Sequence, residues 1–164
     1  MRIKRFNELD ASDFDALATL DARLVDKYGT SFSGEVWQAE NFSYARLPKK
    51  YDLSYALFND GAIAGYCVAS EKQERVYIHR FAVESSGKAL ASRFFEEVLA
   101  RYDAPVYLMV NTRNTAAIGF YRRFGFTTVS DTETIRPFIA EGLEIENGTI
   151  IIEKDYTCYL MARN

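Results

Sequence analysis

The sequence contains little histidine, cysteine or proline: among its 164 residues are one histidine, two cysteines and three prolines. Structural zinc sites normally use clustered cysteine and histidine ligands, so a single histidine argues against such a site, and we expect no metal. Cys67 and Cys158 lie in strand-like runs without a CxxC spacing. We therefore expect two buried free thiols in a reducing compartment.

Long apolar runs are also absent. No uninterrupted run reaches the roughly 20 residues that a membrane-spanning helix needs, and Met1–Glu8 shows no apolar signal segment. These absences predict a cytoplasmic protein with no membrane partner. The net charge of −3 argues against a nucleic-acid partner, which would require a basic surface. The length is that of one domain, residues 1–164.

Charge is unevenly distributed along the chain. Residues 86–124 contain six basic and three acidic side chains, a balance of +3, which leaves −6 for the remainder. A basic segment in an acidic protein suits an anionic ligand on one side and a cationic substrate elsewhere. Chance clustering on solvated helix faces is an equally weighted alternative.

The first third of the chain predicts a strand over Ile3–Phe6 and then a helix. Ser12 and Asp15 have the spacing of a helix cap, and Gly29 is a plausible end of that helix. A second helix is predicted over about 35–46. Five aromatic residues occur in or near this stretch: Phe32, Trp37, Phe42, Tyr44 and Tyr51. We interpret them as packing side chains, with a substrate lip as the less favoured alternative.

Turn signals divide most of the remainder into strands. Asn59-Asp60-Gly61 and Asn147-Gly148 are typical of tight hairpins, because both contain residues that accept a positive φ. Further strands are predicted at Val76–Val83, Val106–Val110 and Tyr156–Met161.

Two helices are predicted between these strands, over Ser86–Tyr102 and Asn114–Phe124. The strand–helix–strand order around the first of them implies that Val76–Val83 and Val106–Val110 run parallel. Glycine at position 125 supplies a stop for the second helix.

The start of the helix at Ser86 is the feature of the sequence that most directly indicates a bound anion. Its first turn has no carboxylate and carries Lys88, a charge of unfavourable sign for a helix N-terminus. A diphosphate bound there would accept hydrogen bonds from backbone amides and use Lys88 as its counter-ion. A tight turn with a serine cap and no ligand explains the same residues equally well.

The second helix places Asn114, Ala117, Ile118, Tyr121 and Gly125 on one face. A tyrosine in such a position is usually a core side chain with a hydrogen-bonded hydroxyl. The functional alternative is a phenol that gives a proton to a leaving group.

These motifs together resemble the GCN5-related N-acetyltransferases (GNAT). The resemblance rests on Phe81-Ala82-Val83, on Ser86–Ala91, and on Asn114-x-x-Ala117-x-x-Phe120-Tyr121-x-x-Phe124-Gly125-Phe126. It implies an α/β (α+β) fold with a mixed, mostly antiparallel seven-stranded sheet, about four flanking helices, and a splay between strands 4 and 5. Ser86 and Ala89 depart from the family's usual loop, which has Arg or Gln and then Gly at these positions.

The resemblance also implies that acetyl-CoA, or another acyl-CoA, binds in the splay. The pantetheine arm would pair with the backbone of Phe81, Ala82 and Val83. The diphosphate segment would comprise Ser86, Gly87, Lys88, Ala89, Leu90, Ala91 and Ser92. Asn114 and Tyr121 of the second helix would line the thioester end, and Ala117 and Phe120 of the same helix would also bind the cofactor.

Catalytic roles follow from the same resemblance. Tyr121 occupies the position of the general acid that protonates the departing thiolate. We favour His79 as the general base, because a neutral imidazole can accept a proton near neutral pH. Tyr77 and Glu84, acting through water, are the alternatives. Neither cysteine lies in the expected groove, which favours direct attack in a ternary complex.

The sequence thus predicts an N-acetyltransferase whose acceptor is a primary amine on a small molecule, a peptide or a protein. A catalytically silent CoA-binding sensor and an interaction domain without a cofactor are the competing interpretations. The apolar, strand-rich tail could pair across a homodimer.

Overall fold

The structure is a computed structural model that describes residues 1–29, 35–84 and 88–164, Lys88 by its backbone only. The described residues form nine strands: β1 (Arg2–Arg5), β2 (Tyr55–Asn59), β3 (Ala62–Lys72), β4 (Arg75–Val83), β5 (Val106–Asn111), β6 (Thr127–Thr128), β7 (Glu144–Glu146), β8 (Thr149–Glu153) and β9 (Tyr156–Arg163). They also form six α-helices: α1 (Ala11–Tyr28), α2 (Ala39–Ser43), α3 (Lys50–Leu53), α4 (Lys88–Leu99), α5 (Thr115–Arg123) and α6 (Thr132–Ile135).

The expected fold class is confirmed. The sheet is mixed and mostly antiparallel, and β4 and β5 form its parallel pair. The described residues hold nine strands where seven were expected. One of the two additional strands is the two-residue β6, which pairs with β9 and is too short to leave a hydrophobic pattern in the sequence.

Contacts divide the chain into two compact units that alternate along the sequence. The first comprises residues 1–71 and 78–103, with strand order β1-β2-β3-β4. The second comprises residues 72–77 and 104–164, where the start of β4 is followed by β5, β9, β8 and β7. Within it, the Val76 amide donates to the Pro105 carbonyl at 3.0 Å. A single domain over 1–164 stays a prediction.

Helix α1 begins two positions earlier than expected, because its cap is Asp10 and not Ser12. The Asp10 carboxylate accepts from the Asp13 amide at 2.9 Å, and the Asp13 carboxylate accepts from the Asp10 amide at 3.0 Å. The predicted cap at Ser12 and Asp15 is therefore wrong, because the Ser12 hydroxyl donates to Asp10 instead. The predicted end is confirmed, with Gly29 at φ +66°.

The predicted helix over 35–46 is wrong in length. Helix α2 begins at Ala39, because the Gln38 amide donates to the Asn41 side chain at 2.8 Å, and it ends at Ser43. The Tyr51 hydroxyl then donates to the Ser43 carbonyl at 2.7 Å, which satisfies one acceptor at the helix end.

The aromatic residues of this segment mostly pack against the core, as interpreted from the sequence. Trp37 meets Phe42 edge-to-face at 5.2 Å, and Phe42 meets Tyr66 of β3 at 5.1 Å. Tyr44, by contrast, is 50% exposed. Phe32 lies outside the described residues.

Both predicted hairpins are confirmed by their backbone angles. Asp60 and Gly61 have φ of +53° and +80°, and Asn147 and Gly148 have φ of +50° and +82°. Two successive positive φ values are characteristic of the two-residue turns that match the twist of the flanking strands.

Each unit has its own apolar core. In the first unit, the buried face of α1 packs with Phe6, Phe42 and residues of β2 to β4. In the second unit, Phe138 stacks on Tyr107 at 4.4 Å and on Tyr77 at 6.0 Å. Such offset aromatic pairs stabilise a core beyond the area they bury.

Lys50 on α3 is a buried charged residue of the first unit, with only 2% of its surface exposed. Its ammonium group donates to the Asn41 carbonyl at 2.8 Å and lies 5.9 Å from the ring centre of Tyr44. Burial lowers the pKa of Lys50 to about 8. The native state therefore holds this proton less tightly than the unfolded chain does.

Replacing Lys50 should change how stability depends on pH. Between pH 8 and 10 the unfolded chain binds more protons at this position than the native state, so the Lys50 contribution to the free energy of unfolding rises with pH. Lys50→Met removes this titration. Its free energy of unfolding relative to wild type, from urea titrations, should be most favourable below pH 8 and less favourable at pH 10.

Lys49→Met is the matched control, because Lys49 is an exposed neighbour whose side chain is 59% accessible. It should show no comparable trend over the same pH range. A pH-independent difference for Lys50→Met would contradict the assignment of a lowered pKa to Lys50.

Candidate active site

Strand β4 carries the candidate base. His79 Nε2 lies 2.6 Å from the hydroxyl oxygen of Ser70, a residue on β3 that is 2% exposed. The side chain of His79 is half-buried. The contact with a buried hydroxyl fixes the orientation of the imidazole, which a proton-transferring group requires.

The two alternative bases are less suited to the role. Tyr77 is buried in the aromatic stack of the second unit, and burial raises the pKa of its hydroxyl. Glu84 receives two hydrogen bonds from Arg23, which lower the pKa of its carboxyl group. A more acidic carboxyl is a weaker base, and a less acidic phenol stays protonated near neutral pH.

The end of β4 is held closely against β3. A Cβ added at Gly65 would lie 2.8 Å from the Ala82 carbonyl oxygen and 3.0 Å from a methyl group of Val83, so only glycine fits there. The Glu84 amide donates to the Ala64 carbonyl at 2.7 Å. These contacts fix the backbone of the strand segment predicted to meet the pantetheine arm.

Side chains join this segment to α4. The Phe81 ring stacks on Phe94 at 5.8 Å and tilts against Phe95 at 4.7 Å. Phe94 and Phe95 are fully buried. The Phe81 side chain therefore anchors α4 on β4, and any contact of Phe81 with a cofactor would fall to its backbone.

The first turn of α4 includes two alanines, Ala89 and Ala91, and contains no acidic residue. Ala89 is exposed, and Leu90, Ala91 and Ser92 are half-buried. Ser86 and Gly87 lie outside the described residues, as does the side chain of Lys88. The described part of this turn therefore carries no negative charge that would repel an anion from the backbone amides.

Helix α5, in the second unit, carries the remaining predicted residues. The Asn114 side chain accepts from the Ala117 amide at 3.1 Å and so caps the helix. The half-buried Tyr121 ring lies 5.6 Å from Phe120 and 5.8 Å from Phe126, measured between ring centres. These ring contacts fix the orientation of the Tyr121 side chain. Asn114 caps α5, a structural role that the sequence analysis did not predict.

A buried polar network in the first unit was missed by the sequence interpretation. Arg80 of β4 donates two hydrogen bonds of 2.9 Å to Asp21 of α1, and Tyr66 also donates to that carboxylate. Asp21 is fully buried. The available signal was a carboxylate within the apolar face of a helix.

The network extends to Glu35 and Trp37, which lie shortly before α2. Arg80 donates to the Glu35 carbonyl at 2.7 Å and lies 4.7 Å from the ring centre of Trp37. The Trp37 amide donates to Asp21 at 2.7 Å. The residue next to His79 therefore organises this part of the first unit.

Other kinds of site find no support among the described residues. No three or more His, Cys, Asp or Glu side chains of this part of the chain gather as metal ligands would. Over the same residues, no helix combines the length and the apolarity needed to cross a bilayer.

The fold is similar to those of several solved acetyltransferases. The ribosomal-protein-S18-alanine N-acetyltransferase of Escherichia coli superposes with a TM-score of 0.64 at 17% identity, covering 99% of this chain and 92% of that one. Arabidopsis thaliana Naa50, in complex with the bisubstrate analogue CoA-Ac-MVNAL, gives 0.63 at 19% identity, with coverage of 99% and 97%. An acyl-CoA N-acyltransferase from Pseudomonas aeruginosa gives 0.59 at 18% identity, with coverage of 99% and 98%.

The family assignment comes from the sequence. No curated protein shows significant similarity to it. Residues 19–126, however, match the sequence model of the Acetyltransferase (GNAT) family. That range includes β4 with His79, the whole of α4, and α5 with Tyr121. The resemblance inferred from the motifs is thereby confirmed, and the chain belongs to the GNAT acetyltransferase family.

Proposed function

We propose that the protein transfers an acetyl group from acetyl-CoA to a primary amine by direct attack in a ternary complex. The observation that carries the proposal is the family match over residues 19–126, which spans the start of α4 and Tyr121. Acetyl-CoA is the acyl donor of this family. The Arabidopsis neighbour was solved with a CoA–peptide bisubstrate analogue, which makes a peptide amine the first acceptor class to test.

The first unit supplies the groups that we assign to the pantetheine arm and the diphosphate of the cofactor. Backbone groups of Phe81, Ala82 and Val83 would pair with the pantetheine arm, and the first turn of α4 would hold the diphosphate. Two features support this assignment: Gly65 fixes the strand end, and the described part of the turn has no carboxylate. Backbone amides at a helix N-terminus favour a bound anion.

The chemistry requires three proton transfers. His79 takes the proton that the attacking ammonium must lose, because only the neutral amine is a nucleophile. Nitrogen then attacks the thioester carbonyl, and the C–S bond breaks as the tetrahedral intermediate collapses. Tyr121 gives its proton to the departing thiolate, which leaves as free CoA thiol. The Tyr121 phenolate then takes the second proton from the former amine nitrogen, so that a neutral amide is formed.

The buried thiols support direct transfer over an acyl-enzyme. Burial raises the pKa of Cys67 to about 12 and also raises the pKa of Cys158. Because the thiolate is the reactive form, such cysteines are poor nucleophiles near neutral pH.

The direct test is release of CoA thiol from acetyl-CoA in the presence of an amine panel. The panel should include short peptides with free N-termini, lysine side-chain peptides, polyamines and amino sugars, with acetyl-CoA binding measured in parallel by calorimetry. Turnover on any member supports the transferase. Tight binding without turnover on any class would favour the silent sensor, and no binding would favour an interaction domain.

Tyr121→Phe tests the general acid. The variant keeps the ring that packs on Phe126 but loses the proton, so kcat should fall by roughly 10²-fold, within the range for general-acid catalysis. Acetyl-CoA affinity should change little. Tyr44→Phe, at an exposed tyrosine, is the matched control. An unchanged kcat would remove Tyr121 from the mechanism.

His79→Gln tests the general base. A base must be unprotonated to act, so wild-type kcat/KM should rise with pH as His79 loses its proton. The variant should lose that limb and fall by about 10²-fold or more. In the variant, which lacks the base, kcat/KM should rise only as the acceptor ammonium loses its own proton at higher pH. A pH profile of unchanged shape would exclude His79 as the base.

Ala89→Glu tests the diphosphate position. A carboxylate in the first turn of α4 would crowd and repel the anion, so acetyl-CoA binding should weaken by at least tenfold. Ala100→Glu makes the same change just beyond the other end of α4, at another exposed alanine, and should bind normally. Normal affinity in Ala89→Glu would mean that the diphosphate does not bind at this turn.

A further inference from the structure

An ion pair joins α1 to the residue that directly follows β4. Arg23 Nε donates to Glu84 Oε2 and Arg23 Nη2 donates to Glu84 Oε1, both at 3.0 Å. Two parallel hydrogen bonds between a guanidinium and a carboxylate define the relative orientation of both groups, which a single contact does not. The pair is thus a geometric restraint as well as a charge interaction.

Both partners are attached to well-fixed backbone of the first unit. Arg23 lies on α1 between Leu20 and Leu24, which are buried at 0% and 1% exposure. The Glu84 amide donates to the Ala64 carbonyl. Glu84 is also the last described residue before α4, whose first turn we assign to the diphosphate.

We infer that the Arg23–Glu84 pair positions the end of β4 for acetyl-CoA. This inference rests on the proposed function. Glu84 directly follows Ala82 and Val83, whose backbone we assign to the pantetheine arm. A restraint on the Glu84 side chain therefore acts beside the strand segment that would meet the cofactor.

We expect the pair to contribute little to the stability of the fold. The Arg23 and Glu84 side chains are 52% and 40% exposed. Ion pairs with such exposure contribute little to folding stability. A loss of cofactor affinity on breaking the pair can therefore be distinguished from a loss of fold.

The experiment compares acetyl-CoA dissociation constants, measured by calorimetry, with thermal unfolding of the same variants. Arg23→Ala should weaken binding by about three- to tenfold, and Arg23→Glu should weaken it further, because two carboxylates then face each other near the cofactor. The charge-swapped double variant Arg23→Glu with Glu84→Arg should return to within about twofold of wild type, since it rebuilds the pair. Melting temperatures should change little, and kcat at saturating acetyl-CoA should be retained.

Lys49→Ala is the matched control. It breaks another exposed ion pair of the first unit, Lys49 with Glu71 at 3.3 Å, and should leave acetyl-CoA affinity unchanged. Equal affinity of Arg23→Ala and wild type would overturn the inference and leave the proposed function intact. Failure of the charge swap to restore binding would also overturn it, because Arg23 would then act by its own charge. Absence of acetyl-CoA binding by the wild type would instead remove the proposed function itself.

Discussion

The buried ion pair of Arg80 and Asp21 is the constraint on which the first unit depends. Removing a guanidinium and a carboxylate from water costs several kcal/mol for each ion, and an incomplete hydrogen-bond shell would leave much of that cost uncompensated. Here the carboxylate accepts from Arg80, Tyr66 and the Trp37 amide. The Asp21 carboxylate on α1 is thus bonded to β3, to β4 and to Trp37, and its partner Arg80 is the neighbour of the candidate base His79.

Successive side chains of β4 point to opposite faces of the strand and pack against different helices. Arg80 and Ala82 belong to the side that meets α1 and its core, whereas Phe81 packs on α4. Because neighbouring residues of a strand point to opposite faces, the strand can be fixed on both sides while its backbone stays in one position. His79 therefore lies on a strand that is packed on both faces.

Local signals in the sequence predicted local structure well. The hairpins at Asp60 and Asn147 were recoverable because positive φ values favour a few residue types, and α5 was recoverable from its cap and terminal glycine. The α1 cap was misplaced because Asp10 and Ser12 are both good caps and only the folded backbone selects between them. The Asp21–Arg80 contact joins residues 59 positions apart, a pairing that no local pattern specifies.

The placement of the two cysteines has a consequence for oxidation. The proposed reaction releases free coenzyme A, and the disulfide that forms when coenzyme A is oxidised can exchange with accessible protein thiols to give mixed disulfides. Cys67 and Cys158 are 0% and 3% exposed, and both thiols are less acidic than usual. The thiols of the folded chain are therefore poorly reactive toward coenzyme A disulfide, and S-thiolation by coenzyme A would report on unfolding rather than on regulation.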